Sequence, residues 1–123
     1  MRILLDTHAF LWALAAPGRL GSDRIERLEN PDNRVFVSSI TIAELMIKRS
    51  IGKLKVEFDP VEAARLSGFE MIDFTGRDAL QLGRLPLHHK DPFDRMLISQ
   101  AIAGDISLMT DDAAFHAYDC RVI

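Results

Sequence analysis

The chain has 123 residues, 48% hydrophobic and 27% charged, which suits one domain, residues 1–123, built on a single core. A formal net charge of −3 argues against a generic basic nucleic-acid binder, although setting four clustered acids aside would leave a remainder of slightly positive sign. Cys120 is the only cysteine, which excludes an internal disulfide and a cysteine zinc cluster and is compatible with a reducing cytoplasm.

The opening "MRILLDTHAFLWALAAPG" superficially resembles a signal peptide, but Asp6 and His8 interrupt its apolar run. No segment approaches the ~20 apolar residues of a membrane span. The expectation is a cytoplasmic protein with no membrane partner.

"RILLD" reads as a short buried strand, followed by a helical pattern to Ala16 that Pro17 and Gly18 break. "SDRIERLEN" is a polar-faced helix starting at Ser22, and "RVFVS" is a second buried strand. "SSITIAELMIKRSIG" is a helix capped by Ser38 or Ser39 and stopped near Gly52. "DPVEAARLSG" is a helix with Asp59 as cap and Pro60 at its first position. "FEMIDF" is a weak strand, "GRDALQLGRL" a helix and "PLHHK" a loop. The next helix has Asp91 as N-cap, Pro92 at its first position and Gly104 as its stop. "ISLMT" is a strand, "DDAAFHAY" a short helix and "CRVI" a last strand. Strands alternating with helices predict an α/β sandwich: a central, mainly parallel sheet of four or five strands, flanked by helices.

Within "DPFDRMLISQAIAG", Phe93, Leu97 and Ala101 form an apolar stripe flanked by Ile98, while Arg95 and Ser99 fall on the opposite face. Asp94 lies inside the apolar arc. A first-turn acid can simply favour the helix dipole, so an inward-facing Asp94 gains meaning only if other acids meet it. Asp6 and the pair Asp111/Asp112 sit at the carboxyl ends of two strands, where sites form in open parallel sheets. Such acids also serve as helix caps. Glu44 lies in a narrow polar stripe with Thr41 and Lys48 on an otherwise apolar helix, which places it in a cleft or in an exposed Glu44–Lys48 pair. Asp6, Glu44, Asp94 and one of Asp111 and Asp112 thus form a candidate carboxylate cluster. Crowded carboxylates repel, and oxygen ligands suit a hard cation such as Mg²⁺ or Mn²⁺.

With these segments in view, the chain resembles PIN-domain ribonucleases of the VapC type, the toxin half of a toxin–antitoxin pair. "LLDTHAFLW" is similar to the family's opening strand with its first acid, Asp6; "SSITIAELMIKRSIGKL" resembles the segment holding the second, Glu44. "LPLHHKDPFDRMLISQAI" resembles a signature of one large branch, in which the third acid aligns with Asp94. "LMTDDAAFHAY" resembles the fourth-acid segment and selects Asp112 over Asp111. A histidine, His8, follows Asp6–Thr7 where many relatives have asparagine.

The resemblance implies a PIN-like three-layer sandwich and hydrolysis of RNA phosphodiester bonds with Mg²⁺ or Mn²⁺. Asp6, Glu44, Asp94 and Asp112 would hold or order the metal and its waters, and Thr7, Ser39 and Thr110 would support them by hydrogen bonds. Lys48 would touch the RNA backbone or stand as a solvated lysine, and Arg19, Arg24 and Lys53 would follow RNA along the rim or serve only as solvated surface. The resemblance also implies homodimers and a VapB-like antitoxin whose C-terminal segment enters the acidic groove.

Three rival readings exist. His88, His89 and Asp91 could bind zinc, or a histidine pair could cleave RNA without metal. A phosphoacceptor domain shares the length and fold class, but "RVFVS" ends in serine and the last lysine is Lys90. A non-enzymatic module could use the same acids to grip a partner's arginine.

Overall fold

Strands β1 (Arg2–Leu5), β2 (Arg34–Ser38), β3 (Glu70–Ile72) and β4 (Ser107–Met109) form a parallel sheet of order β3–β2–β1–β4 in the computed structural model, which describes residues 1–123. Strands β1, β2 and β4 alternate their side chains between two cores, as the period of two requires, while β3 gives only Ile72 to one of them. Ile3, Leu5, Val35, Val37 and Met109 point to one face, where they meet Phe10 of helix α1 (Thr7–Ala15), Leu45 of α3 (Ser39–Ser50) and Ala64 of α4 (Pro60–Leu66). Leu4, Phe36 and Leu108 point to the other, against Leu97, Ile98 and Ala101 of α6 (Pro92–Gly104). Helix α2 (Ser22–Glu29) adds Ile25 and Leu28 to the first face, and α5 (Gly76–Leu82) adds Leu82 to the second. The result is the expected three-layer sandwich.

The last predicted strand, "CRVI", is reduced to one parallel bridge between Leu108 and Val122. Leu108 donates to the Arg121 carbonyl at 2.7 Å and accepts from the Ile123 amide at 2.9 Å, so a single residue of β4 supports the pairing. The sheet therefore has four strands. The short helix expected in "DDAAFHAY" is a 3₁₀ turn, Ala113–Ala117.

Helix α6 stops at Gly104 as expected and departs from the sequence pattern at Ser99. Gly104 is its last helical residue, and Asp105 takes the left-handed conformation beyond it, with φ at 51°. A Cβ on Gly104 would lie 3.1 Å from the Ile106 side chain, which would have to shift by a few tenths of an ångström to admit it. Ser99, expected on the open face, is fully buried and donates to the Asp78 carbonyl of α5 at 2.8 Å. Helix α5 packs along that side of α6, so α6 is covered on two sides and its one-sided pattern misplaces Ser99.

Helix α3 starts where β2 ends. The Ser38 hydroxyl accepts from the Ile40 amide at 3.1 Å, the capping expected there. Leu45, fully buried, anchors the turn that carries Glu44. Leu45→Ala is expected to cost about 2–5 kcal/mol through lost burial and a residual cavity, measured by urea unfolding.

Candidate functional site

Parallel strands place all their carboxyl ends on one edge, and this edge gathers the acids. Leu5 of β1 pairs with Met109 of β4, so the residues that follow them, Asp6 and Thr110, become neighbours. The Asp6 amide donates to the Met109 carbonyl at 3.1 Å, and the Thr110 hydroxyl donates to Asp6 Oδ2 at 2.5 Å. Asp6 Oδ1 accepts from the Ala9 amide at 2.7 Å, capping α1. One side chain is thus both a helix cap and an edge acid. Burial pushes its pKa up, against the downward pull of the hydrogen bonds from Thr110 and Ala9.

Glu44 lies in the second turn of α3 and is 4% exposed. Its Oε1 accepts from the Thr7 hydroxyl at 2.6 Å, and its Oε2 meets Lys48 Nζ at 2.5 Å. The Glu44–Lys48 pair therefore forms with its acid buried in the cleft, not on an exposed face. Lys48 is held above its usual pKa, chiefly by the Glu44 hydrogen bond, and also lies in the fields of Asp91 and Asp94.

Asp94 sits in the first turn of α6, its amide donating to the capping Asp91 Oδ1 at 3.0 Å. Burial pushes its carboxyl up to about 7, with Asp91, Glu44 and Asp6 adding to the rise and His89 opposing it. Acids from β1, α3 and α6 therefore feel one another's charge, as clustering requires.

The fourth segment turns Asp112 and Asp111 in different directions. Asp111 pairs with Arg24. Asp112 donates its amide to Thr110 Oγ1 at 3.0 Å and caps the 3₁₀ turn by accepting from the Ala114 amide at 2.9 Å. Its Oδ2 lies 3.3 Å from His89 Nε2, and Asp94 Oδ2 lies 3.0 Å from the same nitrogen. One ligand-type atom from each of His89, Asp94 and Asp112 falls within a 4.8 Å cluster.

His89 is the residue of this edge that sequence reasoning did not place with the acids. Its Nδ1 accepts from the Asp91 amide at 3.2 Å, so the neutral ring carries its proton on Nε2, aimed at Asp94 and Asp112. An Nε2 that carries a proton donates hydrogen bonds and cannot also ligate a metal. The available clue was the N-cap at Asp91, which brings the residue two positions earlier back against the helix's first turn.

His88 instead packs its ring edge-on to Tyr118, 5.3 Å between centroids, and the Asp91 carboxylate is engaged as a cap. The zinc set His88, His89 and Asp91 is not assembled. Thr7 and Thr110 support the acids as expected, but Ser39 does not: its hydroxyl accepts from the Phe74 amide at 3.0 Å, bracing the segment after β3. Arg24 is occupied structurally, donating to the Thr110 and Ile123 carbonyls at 2.8 and 3.2 Å. Arg19 places its guanidinium 4.9 Å from the centre of the Trp12 ring.

Chemically, the edge carries four carboxylates from four separate segments: Asp94 and Asp112 fall with His89 within one 4.8 Å cluster, while Glu44 is held by Thr7 and Lys48 and Asp6 by Thr110 and the Ala9 amide, outside it. Oxygen donors at this charge density suit a hard divalent cation better than zinc or a soft metal.

A family model described as the PIN domain matches residues 3–119. No curated protein matches the sequence significantly. Among solved structures, a chain of VapBC2 from Rickettsia felis bound to a promoter DNA fragment is 23% identical, with TM-score 0.75, covering 100% of this chain and 98% of that one. VapBC-1 from nontypeable Haemophilus influenzae is 18% identical, with TM-score 0.68 and coverage of 100% and 97%. FitAcB from Neisseria gonorrhoeae is 20% identical, with TM-score 0.68 and coverage of 98% and 96%.

Proposed function

From the premise that this chain belongs to the PIN domain family, we propose that it is a metal-dependent endoribonuclease and the toxin of a VapBC-type toxin–antitoxin pair. The observation that carries this reading is geometric: Asp94 Oδ2 and Asp112 Oδ2 lie 3.0 and 3.3 Å from one nitrogen of His89, at the sheet edge where Thr110 also holds Asp6. Family membership and the kinship in fold to chains of VapBC complexes support it.

Asp6, Glu44, Asp94 and Asp112 would hold Mg²⁺ or Mn²⁺, directly or through ordered water. Bound there, the ion would polarise the scissile phosphate and acidify a water for in-line attack. The chain's own residues orient the acids. Thr110 fixes Asp6 and the Asp112 amide, Thr7 fixes Glu44, and the His89 N–H aligns Asp94 with Asp112. Lys48 offsets the charge of Glu44. An antitoxin with a cationic group could enter the same acids, as charge-assisted pairing favours. A homodimer in the cytoplasm completes the reading; no helix is long and apolar enough to cross a membrane.

Purified chain, offered transfer, ribosomal and messenger RNA, is expected to cleave only with added Mg²⁺ or Mn²⁺ and to stop on chelation. Chelator-resistant cleavage that disappears in His88→Ala/His89→Ala would overturn the metal reading in favour of histidine chemistry. Folded chain that binds an antitoxin and cuts none of these RNAs would make it a binding module. Expression is expected to arrest growth, with relief by a co-expressed antitoxin.

A further inference from the structure

We propose that a cavity beside the acid edge is a nucleobase subsite, taking an unstacked base of single-stranded RNA next to the bond that is cut. This inference rests on the nuclease reading and adds to it the part of the molecule that selects sequence. The cavity has a volume of about 530 Å³, within the range of small-molecule sites. Leu82 of α5, Leu87 of the connecting loop, and Pro92 and Met96 of α6 supply its apolar surface. His89 belongs to both places: it lines the cavity, and its Nε2 lies 3.0 Å from Asp94 and 3.3 Å from Asp112.

The charge of the lining favours RNA. Lys90 and Arg95 line the cavity and no acid does, in a chain whose net charge is −3. Arg95 donates to the Pro86 carbonyl at 3.0 Å and to the Tyr118 hydroxyl at 3.2 Å. Both acceptors are neutral, so the guanidinium is held in place with its charge uncancelled. Lys90 is exposed and forms no ion pair.

Leu87, 88% exposed, adds nothing to either core and stands ready to contact a ligand. An apolar floor with cations at its edge matches a base and its flanking phosphates. Splayed single-stranded bases are read on such surfaces, including histidine rings and arginine planes. A protein segment aiming an arginine at the neighbouring acids would meet two like charges here.

The test uses the full chain in an Asp94→Asn background, which spares the RNA, and fluorescence anisotropy with labelled single-stranded oligoribonucleotides. Each oligomer is either intact or lacks the base at one position in turn. One abasic position is expected to weaken binding about tenfold. Leu87→Ser, at an exposed position that leaves the cores untouched, is expected to weaken the intact oligomer by a similar factor and that abasic oligomer hardly at all. Equal binding of all abasic oligomers, or equal losses on intact and abasic RNA, would overturn the subsite. A Leu87→Ser variant that weakens binding of an arginine-bearing amphipathic peptide and leaves RNA binding unchanged would assign the cavity to a protein partner instead. Failure of the nuclease reading is seen separately, as absent cleavage by the unaltered chain with metal.

Discussion

Asp94→Asn is expected to lower metal-dependent RNA cleavage by about a hundredfold or more and, at the same time, to make the resting protein more stable. The loss follows from the role: partners of metal ligands already cost about 10–100-fold when removed, and a direct ligand costs more. The gain follows from linkage. The folded Asp94 carboxyl is pushed up to about 7 from an ordinary 3.8, so the folded state holds this proton to higher pH than the unfolded chain does. Stability therefore falls as pH rises from about 4 to about 7, and above that the full penalty of the buried charge is present. Asparagine cannot ionise and escapes the penalty. Allowing for solvent screening of a partly exposed carboxyl, the gain is about 1–2 kcal/mol near pH 8 and close to zero near pH 4. Urea unfolding at the two pH values, beside a cleavage assay, checks both halves. A variant that loses stability at pH 8 would mean that Asp94 serves the helix dipole, because that is the contribution asparagine removes. Activity and stability pulling in opposite directions is the signature of a functional group held at a cost to the fold.

Much of this edge was legible because it is local. Asp6 follows the best strand in the chain, and Glu44 is the acid of a narrow polar stripe. The pair Asp91–Pro92 marks the start of α6 and so fixes Asp94 in its first turn. Sheet order is not local. That β1 lies between β2 and β4, which seats Thr110 beside Asp6, depends on contacts across more than a hundred residues. From the residues alone Asp111 and Asp112 stay open and only the family resemblance selects Asp112; in the structure Arg24 of α2 claims Asp111.

Ser99 and His89 were misread or missed for opposite reasons. Ser99 fits a one-sided helix pattern, and the packing of α5 cannot be seen from α6's own periodicity. His89 lies in a loop without a period, and only the hydrogen bond from the Asp91 amide gives its ring a direction. The loop that carries His89 also carries Leu87 and Lys90, so the segment least readable from pattern joins the acid edge to the cavity.

Divalent-cation affinity is expected to rise about tenfold per pH unit until about pH 7 and then to level off. Below that point Asp94 holds a proton, and the cation must displace it to use the carboxylate; above it, the carboxylate is already bare. The groups that set this balance surround it. Asp91, Glu44 and Asp6 raise the proton's affinity, while His89 opposes them. Lys48, tied to Glu44, lies in the same field. Titration calorimetry with Mn²⁺ from about pH 5 to about pH 9, in two buffers of different ionisation enthalpy, reads both the affinity and the proton released. Near one proton is expected per ion on the acid side, falling towards none on the alkaline side. Asp94→Asn should bind more weakly with the slope lost. A flat profile in the unaltered chain would remove Asp94 from the ligand set, because an ion held by the other acids alone has no reason to compete with that proton.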